Sequence, residues 1–565
     1  MKTCTQCQQS FDIPADERAF LTKMPFQFGD VKVELPEPDA CPDCLNQIRT
    51  AHRNERFLYQ RKSDLTGKQI ISIYSPEPPW GSPYTVYSYD EWHSGEWDPL
   101  QYGRDFDFNR PFFEQFSELQ KAVPRLGLIS LANENSPYTT GTAYCKNCHL
   151  INSSENCEDC YYGKLLQGCK DSVDCTYLYD SELCYQCFSV YNSYNCVFLS
   201  NSSNCSDCWF SENLSGCRNC FLCTNLNNKE YYFMNQPLAK EEYERRVKEF
   251  VGSHRNFEKA KEILAKLKRE RIHKYSNIVS SENCSGDYIK NSQNCHNVYD
   301  LTDSQDCRNV WVGINIKDNY ECSNMYLKQE LNYQALGTIE TYHVAYSIYT
   351  FHSQNILYSD HTFSCQDLFG CVGLKNKKYC IFNKQYSKEE YEGLVPKIIE
   401  HMKQARIPDG QAGEWGQFFP ARFSPHGYNE SLANEYYPMS REDVLSHGWN
   451  WHEDIERGQY QGPHVEIPDH IDEVSDAIVD QILTCEKSGK PYKVMKQELD
   501  FYRKLRLPIP RRSFEQRYVD RLALRNQRRL WDRECMSCGK AIQSTYAPDR
   551  PEKIYCEKCY LDAVY

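Results

Sequence analysis

Eight cysteines near the two ends of the chain are spaced to hold metal. Cys4-x2-Cys7 is followed after 33 residues by Cys41-x2-Cys44, and Cys535-x2-Cys538 is followed after 17 residues by Cys556-x2-Cys559. Two such knuckles bring four thiolates to the corners of a tetrahedron around Zn²⁺, with arms of about 2.3 Å. Four protein ligands leave no position for substrate, so the pattern predicts two structural Zn²⁺ sites rather than catalytic ones.

The elements around these cysteines are doubled. RNERFLYQRKSDLTGK (53–68) repeats the skeleton of RNQRRLWDRECMSCGK (525–540). Phe11, Ile13, Glu17 and Phe20 correspond to Tyr492, Val494, Glu498 and Phe501, and Arg49 and Arg53 to Arg521 and Arg525. Each end therefore reads as a two-ribbon module, 1–92 and 482–565. The ligands are lost in complementary fashion. The second N-terminal ribbon has Ser63, Thr66, Ser88 and Glu91; the first C-terminal ribbon has Cys485, Ser488, Ser513 and Gln516. These are poor zinc ligands, so packing must replace the metal there, and Tyr84, Tyr87, Tyr89 and Trp92 are placed to supply it.

Between the ribbons of each module an Arg-rich stretch without Pro or Gly, 49–61 and 517–533, predicts a helix. Residues 503–533 carry 11 Lys/Arg against 3 Asp/Glu, in a chain whose net charge is −13. Arg517, Arg521, Arg525, Arg528 and Arg529 are candidates for a phosphate-binding face. The other reading is a helix whose arginines meet acidic parts of the same protein. The net negative charge disfavours non-specific nucleic-acid binding by the molecule as a whole.

The middle carries a three-residue clock. Fourteen cysteines between 145 and 223 are separated only by multiples of three, and several recur at 21. Phrases such as SQNCHNVY (292–299) and SQDCRNVW (304–311) keep the pattern but put Val where the second Cys stood. Short β-rich units with Asn or Ser turns predict a β-solenoid. The 21-residue recurrence suggests a coil with halves of 12 and 9 and the cysteines inside. The Val and Met replacements favour apolar core thiols over a metal site. His343, His352 and His361, nine apart, are a second candidate ligand ladder. Residues 217–244 match 365–392 at a constant offset of 148, so the middle is itself duplicated.

The expected architecture is mainly β with α additions. A connector (93–137) leads to solenoid half A (138–235), a helical insertion (236–273), half B (274–384), a capping helix (385–404) and an aromatic connector (405–481), between the two terminal modules. In the second connector Ser440-x-x-Asp443 should start a short helix.

Mean hydropathy is −0.73, and no run of about 18 apolar residues predicts a membrane span. The start, MKTCTQCQQS, lacks the apolar core of a signal peptide, which predicts a reducing cytoplasm and free or metal-bound thiols. No nucleotide loop, HExxH or nucleophile elbow occurs. Three functions compete. The first is a non-catalytic zinc scaffold for macromolecules, with nucleic acid or a nucleic-acid-associated protein as partner. The second is a protein–protein platform, and the third an enzyme with a thiol or metal site in the middle.

Taken together, CTQC…CPDC, RNER-x-LY, the Cys-rich repeats, GEWGQFFP, YNES and LWDRECMSCGK…YCEKCY resemble a family of uncharacterised multi-zinc-ribbon proteins of small-genome uncultured bacteria. The resemblance spans nearly the whole chain. It implies zinc at the retained knuckles and no particular activity.

Overall fold

The computed structural model describes residues 1–78, 84–405, 413–453, 462 and 465–564. Strand outweighs helix, 34% to 24% of residues, so the mainly β expectation holds.

Every third residue of the middle adopts a left-handed conformation. Tyr144, Asn147, Leu150 and Ser153 have φ between +50° and +53°, and the series continues through both halves. Asn and Asp hold many of these corners because their short side chains tolerate that region. Bulkier residues such as Tyr177 and Phe198 also occupy them, at a cost of about 1–2 kcal/mol each. The residue after each corner is buried: Cys145, Cys148, Ile151 and Ser154 follow the four corners just named. Four three-residue sides bring the chain back above itself after twelve residues. The registers show this directly, with Thr140↔Asn152, Asn152↔Lys164, Lys164↔Thr176 and Thr176↔Phe188 all parallel.

The repeat is thus twelve residues, not the 21 expected. Cysteines occupy adjacent sides, three residues apart, so gaps of 9 (12 − 3) and 21 (24 − 3) appear alongside the true period. Like residues stack one rung apart: Tyr179 on Tyr191 at 4.8 Å and Phe198 on Phe210 at 5.3 Å between ring centroids. Outside, Asn195 donates to Asp207 and Asn294 to Asp306.

The small cross-section selects its lining. Each inward cysteine gives its S–H to backbone oxygen; Cys148 reaches Lys146 O at 3.3 Å and Cys157 O at 3.5 Å. Where serine stands instead, it bonds the rung above as well: Ser172 Oγ donates to Lys170 O and accepts from Cys184 N–H. The second parallel ladder has the same lining with Val298, Val310 and Met325 in the slots.

Both ladders end alike. An antiparallel hairpin closes each, Tyr232↔Pro237 and Cys380↔Gln385. The helices Lys240–Lys248 and His254–Glu270 follow the first and Lys388–Gln404 the second. Ser440 caps helix Arg441–Ser446 as expected, accepting from Asp443 N–H.

The first ribbon of each terminal module packs on the ladder far from it in sequence. Phe20 stacks on Tyr320 and Phe26 on His343, both at 4.0 Å, placing the N-terminal module on the second ladder. Phe514 stacks on Tyr162 at 4.9 Å, placing the first C-terminal ribbon on the first ladder, while Thr545 of the second ribbon donates to Asp287 on the second.

Candidate metal centres

All four ribbons share one backbone frame. In each, the first ligand position accepts from the N–H four residues on and donates to the carbonyl five residues on. The bonds are Gln8 N–H to Cys4 O, Gly67 to Ser63, Gly489 to Cys485 and Gly539 to Cys535, then Cys4 N–H to Gln9 O, Ser63 to Lys68, Cys485 to Lys490 and Cys535 to Lys540. The third ligand position opens a helix in every case, accepting from Leu45, Trp92, Arg517 or Tyr560 N–H. This turn aims two side chains at the two coming from the helix start, whatever those side chains are.

Where they are cysteines, they converge. Cys4, Cys7, Cys41 and Cys44 place their sulfurs within 4.8 Å of one another, and so do Cys535, Cys538, Cys556 and Cys559. Cys7 Sγ lies 3.8 Å from Cys41 Sγ, and Cys538 Sγ 3.8 Å from Cys556 Sγ. That is about the edge of a tetrahedron with 2.3 Å arms. Backbone N–H groups of Cys41 and Cys556 point at Cys4 Sγ and Cys535 Sγ, each at 3.2 Å, and such donors favour thiolate. The Cys44 thiol beside it brings Cys41 down to about 5. Burial opposes the Cys535 thiolate, but backbone N–H groups of Cys556, Cys538 and Ser537 hold it at about 6. All eight predicted ligands are brought together, in two groups that fit a tetrahedral metal ion.

The degenerate N-terminal ribbon replaces the ion with a carboxylate. Ser63 Oγ donates to Glu91 Oε2 at 2.5 Å, Thr66 Oγ1 donates to Glu91 Oε1, and Ser88 N–H donates to Glu91 Oε2 at 2.9 Å. Burial works against the charge, yet the Ser63 and Thr66 hydroxyls keep Glu91 at about 2. All four former ligand positions are thus tied by hydrogen bonds in place of metal. Trp92, Tyr84 and Tyr87 are buried beneath, as packing required. If the frame is common to all four ribbons, replacing Ser63, Thr66, Ser88 and Glu91 together by Cys should raise bound zinc from two to three per chain. Elemental analysis of the purified variant measures this, and a count that stays at two refutes the equivalence.

The cysteines of the ladders behave differently. Among the described residues only the two terminal groups gather three or more possible ligands. The neighbouring Cys145 thiol, then burial, pushes Cys148 up to about 12. With its S–H given to backbone oxygen and no group of three ligands in reach, a ladder cysteine lines the core as a small apolar side chain. His343, His352 and His361 also stay apart. Their spacing of nine puts them at successive corners on successive rungs, where each finds its own partner: Asn355 at 2.9 Å, Glu340 at 2.9 Å and Asp360 at 2.6 Å.

The Arg-rich stretches turn inward. Their helices are Pro42–Thr50 and Phe514–Leu522, shorter and earlier than expected, because the chain must straighten to enter the next ribbon's strand. Arg517 Nε meets Asp174 at 2.7 Å and Arg521 Nη1 meets it at 3.0 Å. Arg525 and Arg528 share Asp300, the latter at 2.5 Å, and Arg525 also lies over Tyr177 and Tyr288. Arg521 is 2% exposed. In the other module the corresponding Arg49 faces Glu321 at 3.8 Å and bonds Ser323 Oγ. Of the five candidates for a phosphate face, only Arg529 is exposed, resting over Trp531. Sequence showed the arginines but not their carboxylates, which stand on left-handed corners more than a hundred residues away.

No protein-family model matches the chain, and no curated protein does. Among solved structures, a protein described as a putative acetyltransferase from Desulfovibrio desulfuricans G20 aligns over 51% of this chain and 77% of its own at 8% identity, with a TM-score of 0.11. That score is too low to carry a statement about fold or activity.

Among the described residues, no helix is long and apolar enough to cross a membrane.

Proposed function

We propose that the protein is a non-catalytic, zinc-pinned scaffold. In this reading the two parallel ladders are the halves of a duplicated β-solenoid, residues 138–235 and 274–384. The terminal modules are ribbons clamped across them, and the bound ions are two structural Zn²⁺. The observation that carries the reading is the pair of four-thiol groups, each complete in protein ligands and set in a knuckle frame that the metal-free ribbons also adopt. Free, buried ladder thiols suit a reducing cytoplasm.

Of the two partner classes, protein fits better than nucleic acid. The basic stretch is neutralised from within: beyond the buried arginines, Arg503 pairs with Asp476, Arg506 with Asp472 and Arg512 with Asp520. Titration with RNA and DNA duplexes across a salt series tests this. Binding should be negligible at about 0.15 M salt, where a phosphate-contacting protein keeps a steep salt dependence. Salt-dependent binding that Arg529→Ala abolishes would restore the nucleic-acid reading.

A further inference from the structure

The two ladders end in equivalent hairpins but are covered differently. On the second, Asn383 folds back to bond the rung below, accepting from Val372 N–H at 2.8 Å and donating to Val372 O at 2.7 Å. Its amide also donates to Pro99 O at 3.2 Å, and Phe382 O accepts from Arg104 N–H at 3.1 Å. Residues 99–104, a 3₁₀ turn over Pro99–Tyr102 that runs into Gly103 and Arg104, thus lie across that end as a strap. Leu100 packs on the end of the inner core. Gly103 passes so close that a Cβ there would meet Asn383 O at 2.7 Å. Phe382 and Asn383 are both 0% exposed.

The first ladder has the same termination 148 residues earlier. Asn235 accepts from Thr224 N–H at 2.9 Å and donates to Thr224 O at 3.0 Å. Here the strap is missing among the described residues. Met234, the counterpart of Phe382, is 42% exposed, and Asn235 is exposed. Leu226 and Tyr232 are only partly buried, whereas their counterparts Leu374 and Cys380 are fully covered. The end therefore shows solvent the same acceptor, the same amide and the same apolar floor that the strap fills on its twin.

We propose that this open end of the first ladder docks a short peptide segment of a partner protein in a 3₁₀ turn, held as residues 99–104 are held on the second. The segment's carbonyl takes the Asn235 amide, its N–H meets Met234 O, an apolar side chain covers Leu226 and Tyr232, and a glycine passes over the Asn235 backbone. An acidic residue is not required. Asp105 pairs with Lys384 and Tyr386 on the second ladder, but Gln236 and Leu238 stand at those places on the first. The proposal rests on the scaffold reading and names one of its partner surfaces; its failure would leave the metal count and the nucleic-acid titration unaffected.

The probe is a fluorescent peptide with the sequence of residues 97–106, titrated into the intact protein. Saturable one-to-one binding is expected, weakened at least about tenfold by Met234→Arg, an exposed change that leaves the fold intact, and likewise by valine at the peptide's glycine. No saturation up to millimolar peptide overturns the proposal. So does binding indifferent to Met234→Arg, which would mean displacement of the strap on the second ladder. Sedimentation of the protein alone covers the remaining occupant: self-association that Met234→Arg abolishes would assign the end to a second copy and overturn the peptide.

Discussion

Cys4→Ser or Cys538→Ser should each lower bound zinc from two ions per chain to one, and the double variant should bind none. Each site is complete with four thiols, and a three-thiol remnant gives up most of the affinity. The stability cost should be large, because metal binding in a small ribbon is folding free energy, on the order of 10 kcal/mol. Part of it is retained because each module also packs on a ladder through rings such as Phe20 on Tyr320 and Phe514 on Tyr162. Chelation should therefore release the metal-binding ribbons first while the ladder amides keep their protection. Hydrogen exchange with and without chelator, beside elemental analysis, reads both effects. A wild-type count above two would move metal into the ladder thiols and reopen catalysis. Equal loss of protection throughout the chain would show that the ribbons and ladders do not fold as separable units.

Asp174→Ala should destabilise the protein by about 3–5 kcal/mol, because it strands two arginine charges in a dry interface. Arg517 and Arg521 are both buried and both converge on that one carboxylate. Glu498, 3.7 Å from Arg517, is the nearest remaining acid and already takes the hydroxyls of Tyr162 and Tyr502. Arg529→Ala should change stability by no more than about 0.5 kcal/mol, as exposed substitutions do. Denaturant unfolding of the two variants separates a clamp from a solvated basic face. Similar small effects would mean the arginines are not committed to the ladder. Replacing Asp174, Arg517 and Arg521 together by apolar residues of similar volume should recover much of the loss, since the penalty comes from unpaired charge rather than from the missing pairs.

The two four-cysteine groups were legible because a knuckle is local. Cys-x2-Cys with its turn glycine, as at Cys535 to Gly539, needs only five residues to form, and the partner knuckle lies in the same module. The fourfold relation of the ribbons was legible for the same reason, and the shared backbone bonds repeat it atom by atom. The three-residue clock was legible too, since every corner imposes the same steric demand on its own residue. The coil length was not. It depends on how many sides close before the chain meets itself, and cysteines on adjacent sides put gaps of 9 and 21 beside those of 12.

What the sequence alone determined is therefore short-range: which thiols can hold metal, which ribbons lack a full set of four, and where the backbone turns. Tertiary structure decided the rest. It set the twelve-residue rung, sent the first ribbon of each module to the distant ladder, and put the Glu91 carboxylate among the other three positions of its ribbon. It also turned a basic stretch inward onto Asp174 and Asp300. The physical reason is the same each time. A charge or an aromatic ring announces a need for a partner, but the partner is chosen by which distant surfaces the stacked rungs bring within a few ångströms, and no local spacing contains that distance.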